Sequence, residues 1–425
     1  MSFAYFFLIM TGYYLLKPLR ATLIAMDLGA GTLPGLNLVL LPTILLVVGI
    51  YDRILDSFPR RLVMPCLALN LAIHPLIFRV AWQMGGMEGD WMWWLGAAYY
   101  LWLGIFNVFA VMAFWSMVND LFSPEEARLF FGYIGAGGPA GAMLGSFLAS
   151  TLSRSLGSEN LLILASLILA PCAWLASVLV RTAGERRRDL SAKAVDSPAV
   201  PSKPEMDTGG ASGFRLILSS RYLRMLGLMI LTSKLVNGIF DYHYHVLLQA
   251  EGMTRDQLTA FGAGVFLKVN VLAITLQLFA VSWILKKWGP VAGLVPLPLF
   301  CCAGSASVLL GAGLHSFALV SILGQGVMYS LYQASREFIY MPTDRRTKYR
   351  AKAVLDTFGF RAGTGVGALV IMGFQMCFPA HVKALAVLAL VLAVCWIVLA
   401  VWIGRQCQEQ IAKNQETSGN PVPVA

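Results

Sequence analysis

Residues 122–128 read F-S-P-E-E-A-R, and residues 340–346 read Y-M-P-T-D-R-R. Each heptapeptide closes a long apolar run, places a proline third (Pro124 and Pro342), and leads into a glycine-bearing run, to Gly145 and Gly367 respectively. Outward from these two motifs, apolar runs recur near 3–26, 35–51, 62–82, 91–120, 128–152, 160–181, 221–250, 258–285, 290–311, 315–342, 350–376 and 380–404. Each approaches the roughly 20 residues that a helix needs to cross hydrocarbon, and the alternation of a membrane barrel strand is missing. Backbone amides in lipid must bond within their own segment, so the expected fold is an all-α membrane protein with twelve transmembrane helices.

The two motifs follow the fourth and tenth runs, which divides the chain into repeats. The expected organisation is an N-terminal six-helix half (1–181), a cytoplasmic linker (182–220), a C-terminal six-helix half (221–405) and a disordered cytoplasmic tail (406–425). The linker joins Arg186, Arg187 and Arg188 to Pro198, Pro201 and Pro204, a composition that cannot bury a core. Two parallel halves with a site between them make a major facilitator-like arrangement.

Composition points the same way. The chain is 58% hydrophobic and 13% charged, where a soluble domain carries roughly a quarter charged residues. A net charge of +10 invites a nucleic-acid reading, but the cations sit in alternate loops: Arg53, Arg60 and Arg61, then Arg128, the linker, Lys286 and Lys287, the stretch from Arg345 to Lys352, and Arg405. That is positive-inside topology, which places those loops and both termini in the cytoplasm. The opposite loops offer Arg154, Arg255 and Lys383, with Arg79 near that face. The lipid bilayer is thus the expected partner and a nucleic-acid polymer is not.

The first run is broken by Lys17, Pro18 and Arg20 and lacks a basic leader, so it reads as a span and not as a signal peptide. Seven cysteines fall mostly inside apolar runs without C-x-x-C spacing, which indicates neither a disulfide framework nor a zinc site. There is no G-x-x-x-x-G-K-[ST] loop and no Ser/His/Asp set at a plausible spacing. Neither an enzyme nor a cofactor is expected, and the energy source is a gradient or an exchange of solutes. Glycines 132, 135, 138, 141 and 145 read as a packing surface.

Charge inside the spans is expensive, at least ~2.5–3.5 kcal/mol per residue at mid-bilayer on insertion scales. The interior cations are Lys17, Arg20, Arg79, Lys234, Lys268, Arg336 and Arg361, and the anions are Asp120, Asp241, Glu337 and Asp356. A bound anion would offset the positive excess, and arginine forks and lysine point charges suit phosphate or carboxylate. Arg79, Asp120, Arg336 and Glu337 lie near membrane faces, where a structural pair is the simpler role. Lys17 and Arg20 share a face on either side of Pro18, and Lys234, Lys268 and Arg361 lie deep in their spans, so these five are the candidate substrate-binding residues. In the run Asp241-Tyr242-His243-Tyr244-His245, only Asp241 and His245 share a face, which disfavours a metal and leaves a proton-linked pair or an ordinary hydrogen bond. The acidic and basic residues after the fourth and tenth spans read either as helix caps, with Ser123 capping and Glu126 three positions on, or as ion pairs of an inner gate. Candidate coupling or gating residues are Asp241, His245, Arg336, Glu337, Lys352 and Asp356.

The stretches Y-Y-L-L-K-P-L-R (Tyr13 to Arg20), F-W-S-M-V-N-D-L-F (Phe114 to Phe122), G-Y-I-G-A-G-G-P-A-G-A-M-L-G (Gly132 to Gly145), K-K-W-G-P-V-A-G-L-V-P (Lys286 to Pro296) and Ser335 to Asp356 resemble the ATP/ADP antiporter family of plastids and intracellular bacteria. The resemblance covers nearly the whole chain except linker and tail, and it implies a major facilitator-like fold and nucleotide exchange. It also implies transport roles for Lys17, Arg20, Lys352 and Asp356. The seventh span departs from the family, with Asn237 to Asp241 followed by two histidines, which resembles the broad bacterial branch. The expected protein is therefore a secondary active transporter of the bacterial inner membrane, monomeric, moving a small anionic solute, a nucleotide among the candidates, by alternating access. The alternative is a proton-coupled exporter of amphipathic compounds, with Asp241 as the coupling group.

Overall fold

A computed structural model describes residues 1–85, 90–194, 210–340, 342, 352, 354–355, 359–378 and 381–418. Among the described residues every regular element is helical: α1 (Ser2–Leu23), α2 (Leu33–Ser57), α3 (Arg60–Met84), α4 (Asp90–Leu121), α5 (Pro124–Leu156), α6 (Leu161–Ala194), α7 (Gly210–Ser219), α8 (Arg221–Ala250), α9 (Arg255–Phe279), α10 (Val281–Leu294), α11 (Pro296–Leu309), α12 (Leu314–Val327), α13 (Gln333–Phe338), α14 (Phe360–Cys377) and α15 (His381–Ser418). Eight helical segments among them are long and apolar enough to cross a membrane, or nine if α10 and α11, bent by 42°, form one span. The expected first, fifth and eleventh spans are helical as α1, α5 and α14 but are not among those segments. Lys17 and Arg20 dilute the first and a glycine-rich face the fifth, while α14 is only 18 residues long. Apolar length alone therefore does not give twelve.

Two boundaries also differ from expectation. α6 continues past 181 to Ala194, and α7 is a separate helix before Ser220, so both ends of the 182–220 segment are helical. The region 406–418, expected as part of a disordered tail, is the last part of α15. Its cause is a continuing stripe. Ala386, Ala389, Ala393, Trp396, Ala400, Ile403 and Cys407 are all at most 1% exposed, spaced three or four apart, so the packed face runs beyond the apolar segment. A Cβ at Gly289, where α10 takes a left-handed φ of 69°, would stand 1.9 Å from the Gln408 amide nitrogen.

The described residues fall into two compact units. The first holds α1, most of α2, α3 to α6, and the start of α9 through Leu267. Helices in lipid gain little from hiding apolar surface, so close packing has to hold them together. The α1–α5 seam shows how. A Cβ at Gly141 would lie 2.2 Å from the Phe7 carbonyl oxygen, one at Gly145 2.3 Å from that of Thr11, and one at Gly138 2.5 Å from the Phe6 ring. The packing expectation holds at these three positions. Gly132 and Gly135 stand apart, with nothing within 4 Å of the first and only Trp115 at 3.9 Å from the second. Beside this seam α4 supplies Tyr99, Leu103, Phe106 and Phe114 to the core.

The second unit has its own core, where Leu226, Met229 and Ile230 of α8 cluster with Trp396, Ala400 and Ile403 of α15. Here again glycine sets the approach. A Cβ at Gly363 would meet the Lys234 side chain at 2.7 Å, so α14 packs directly along the stem of that lysine.

Candidate functional site

In the first unit α1 carries Lys17 and Arg20 one turn apart, on either side of Pro18. The Pro18 carbonyl accepts the Thr22 hydroxyl at 3.3 Å, and the Leu16 carbonyl accepts the Tyr99 hydroxyl at 3.0 Å, which fixes this stretch of α1 against α4. The Lys17 ammonium lies 4.1 Å from the centre of the Phe266 ring and 4.8 Å from that of Tyr14, and the Arg20 guanidinium 4.9 Å from that of Tyr100. Cation–π contacts stabilise a desolvated cation by up to about 2 kcal/mol without cancelling its charge. Sequence reading found the two cations and missed their aromatic frame. Tyr14 was within reach of it, three residues before Lys17 on the same face, whereas Phe266 comes from α9.

One end of this unit gathers the ends of α1 and α3, the turn from α5 to α6, and the start of α9. α1 closes in a π-helical turn, Ile24–Leu28, before Gly29 takes a φ of 78°. The turn presents Asp27 to Arg255 in a two-pronged pair, both N–H···O distances being 2.8 Å, with the side chains only 10% and 19% exposed. The same guanidinium stands 4.9 Å from the ring centre of Trp82. Asp256 accepts from the Ser158 backbone at 2.7 Å and its hydroxyl at 2.6 Å, and the Thr22 and Thr259 hydroxyls are 2.9 Å apart. Arg79 donates to Asn160 at 3.1 Å, the structural role expected for it.

The other end bears the basic loops. Arg60 pairs with Asp120, and Arg186 with Glu126 at 3.2 Å, around a cavity of about 830 Å³. Glu126 also completes a capping box with Ser123, in which each accepts from the other's backbone N–H. The capping reading of that pair is therefore realised, and the partners of both carboxylates come from the first unit itself.

In the second unit Lys234 and Arg336 lie within electrostatic reach of one another, like charge facing like charge. Arg361 is half-buried on α14. Lys268 is exposed on α9 and belongs to this second unit, whereas Lys17 and Arg20 belong to the first. Glu337 pairs with Lys352. Asp241, 55% exposed, lies 3.8 Å from the imidazole of His245, which also bonds the Asp241 carbonyl at 2.8 Å. His243 turns to the Val382 carbonyl at 3.0 Å, and His381 to the Tyr242 hydroxyl at 3.0 Å. The two imidazoles of the D-Y-H-Y-H run thus address different partners. Asp356, Asp344, Arg345 and Arg346 lie outside the described residues.

The sequence profile of the Major Facilitator Superfamily matches residues 2–349, and that of the TLC ATP/ADP transporters matches residues 304–407. "ADP,ATP carrier protein 2" of Chlamydia pneumoniae is 21% identical over 96% of this chain and 88% of its own length. "ADP,ATP carrier protein 1" of Chlamydia muridarum is 22% identical over 76% of this chain and 67% of its own. The fold resembles the crystal structure of a bacterial homologue of the iron transporter ferroportin in its inward-facing state, with a TM-score of 0.61 at 12% identity, over 94% of this chain and 96% of that one. The ATP/ADP antiporter resemblance read from the motifs is thereby borne out, and the chain belongs to the Major Facilitator Superfamily.

Proposed function

We propose that this protein is a secondary active transporter of the bacterial inner membrane that exchanges an anionic metabolite, a nucleotide foremost, by alternating access. The proposal takes the chain as twelve spans in two six-helix halves, 1–181 and 221–405, with both termini cytoplasmic. The observation that carries it is the setting of Lys17 and Arg20: two cations one turn apart, on a helix at the core of its unit, each held against aromatic rings. Lysine and arginine together bind phosphate oxygens as point charge and fork, and Tyr14, Tyr100 and Phe266 place aromatic rings beside them. Relatives named as ADP,ATP carriers support the same solute class. Lys234, Lys268 and Arg361 are proposed to meet the solute's remaining charge. Asp241, His245, Arg336, Glu337, Lys352 and Asp356 are proposed to couple or gate its passage.

The test is a panel of nucleotides, sugar phosphates, dicarboxylates and peptidoglycan fragments against purified protein, read by thermal unfolding and followed by exchange in preloaded liposomes. A ligand at 100 times its Kd adds about 2.7 kcal/mol to folded-state stability, which a melting curve resolves. A nucleotide that raises the midpoint and exchanges across liposomes supports the assignment. If amphipathic cations stabilise the protein and no anion does, the exporter reading replaces it.

A further inference from the structure

We infer that Asp27 and Arg255 form a latch that closes the end of the first unit away from the basic loops, and that it must open for solute to reach Lys17 and Arg20 from that side. The inference rests on the transport reading above. Four features distinguish this contact from an ordinary structural tie.

The pair is two-pronged and largely withdrawn from water, at 10% and 19% exposure. A buried ion pair gains little net stability while closed, but separating it into a site without water is strongly unfavourable. Such a contact favours either the fully closed or the fully hydrated arrangement over anything between, which is the bistability a gate requires.

Its partners sit on flexible geometry and a firm anchor respectively. Asp27 belongs to a π-helical turn that ends at Gly29 with a φ of 78°, and single π turns recur where function needs a helix to deform. Arg255 opens α9, a continuous helix.

Further polar contacts made by the same first turns of α9 lie beside it. Asp256 is held by both the backbone and the hydroxyl of Ser158, and Thr259 by Thr22. Concentrating three polar contacts within five residues of one helix start makes them break and form together.

The latch also lies directly along the chain from the cation cluster. Thr22 and Asp27 follow Arg20 on α1 and its terminal turn, while Thr259 and Phe266 follow Arg255 on α9. Phe266 is the ring over Lys17, so the strands of contact that end at the latch begin at the candidate site.

The test uses the full-length protein with its seven cysteines replaced and a reporter introduced by Gly262→Cys. Gly262 is buried one turn inward of Thr259, and a Cβ there would meet only Pro18 Cβ at 3.8 Å, so the substitution fits. In intact cells a membrane-impermeant maleimide is applied from outside and the labelling rate is read. Asp27→Ala and Arg255→Ala are expected to label about tenfold faster than the parent, the effect of a shift of about 1.4 kcal/mol in the closing equilibrium. The exchanged pair Asp27→Arg with Arg255→Asp is expected to return the rate to near the parent value. Unchanged labelling in both single variants, with only a lowered melting temperature, overturns the latch and leaves a static tie. Should a truncated variant fail to accumulate, Arg255→Lys keeps the charge and loses the two-pronged fork. Faster labelling in that variant supports the latch, and parental labelling overturns it. Labelling needs no solute, so failure of nucleotide exchange alone leaves this reading intact, and a failed latch leaves the transport assignment intact.

Discussion

The Tyr99 hydroxyl of α4 donates to the backbone carbonyl of Leu16, 3.0 Å away and fully inside the protein, immediately before Lys17 and Pro18. This bond ties α1 to α4 directly before the first of its two cations. Tyr99→Phe removes the donor and keeps the ring. A net hydrogen bond contributes about 0.5–1.5 kcal/mol, so the variant should fold, melt slightly lower, and exchange solute more slowly through a raised KM. A melt and a concentration series of initial exchange rates check this.

Charge at the cluster is expected to matter more than shape. Lys17→Gln and Arg20→Gln should each lower solute affinity about 10- to 100-fold, from the loss of a charge-assisted contact of about 1.5–3 kcal/mol. Lys17→Arg should recover part of the loss. Parental affinity in both glutamine variants, measured by titration of the stabilising ligand, would remove the pair from the binding site.

The seam between α1 and α5 predicts opposite outcomes for glycines of the same stripe. Gly141→Ala puts a methyl 2.2 Å from the Phe7 carbonyl oxygen, against backbone that has no rotamer to give. It should lose the monodisperse peak in size-exclusion chromatography. Gly132→Ala meets nothing within 4 Å and gains up to about 1 kcal/mol of helix propensity, so that protein should elute as the parent does and melt no lower.

Topology has its own measurement. If both termini and the 182–220 segment face the cytoplasm, a cysteine at Ser202 on a cysteine-free background reacts with impermeant maleimide only after the membrane is opened. Reaction in intact cells would invert the assignment of sides.

Helicity, the family and a packing face on α5 are legible because each rests on local pattern: apolar length, the motif pairs from Phe122 and Tyr340, glycines at helical spacing. Where polar or glycine residues dilute that pattern, in α1 and α5, apolar length no longer identifies a span. The tail was misread for a related reason. Composition turns polar after Arg405, yet Cys407 continues a buried stripe whose spacing outlasts its hydropathy. At the site, Lys17 and Arg20 stood out because charge in an apolar run is costly in itself. Phe266 and Arg255 did not, since one is an ordinary apolar residue of its helix and the other an ordinary loop cation. Their meaning arises only when α9 is packed against α1. Asp27 passed unnoticed for the same reason, its partner lying 228 residues away.

The glycine seam also constrains the order of biogenesis. α1 emerges from the ribosome before the helices it packs against, carrying two cations. The helix it fits, α5, begins at Pro124, about 100 residues after Leu23. At about 5–20 residues per second of synthesis, that is roughly 5–20 s of waiting. Throughout that interval the Phe6-to-Thr11 face of α1 lacks its partner, and Lys17 must be kept hydrated, or chaperoned by the insertion machinery, for longer still, because Phe266 of α9 does not yet exist.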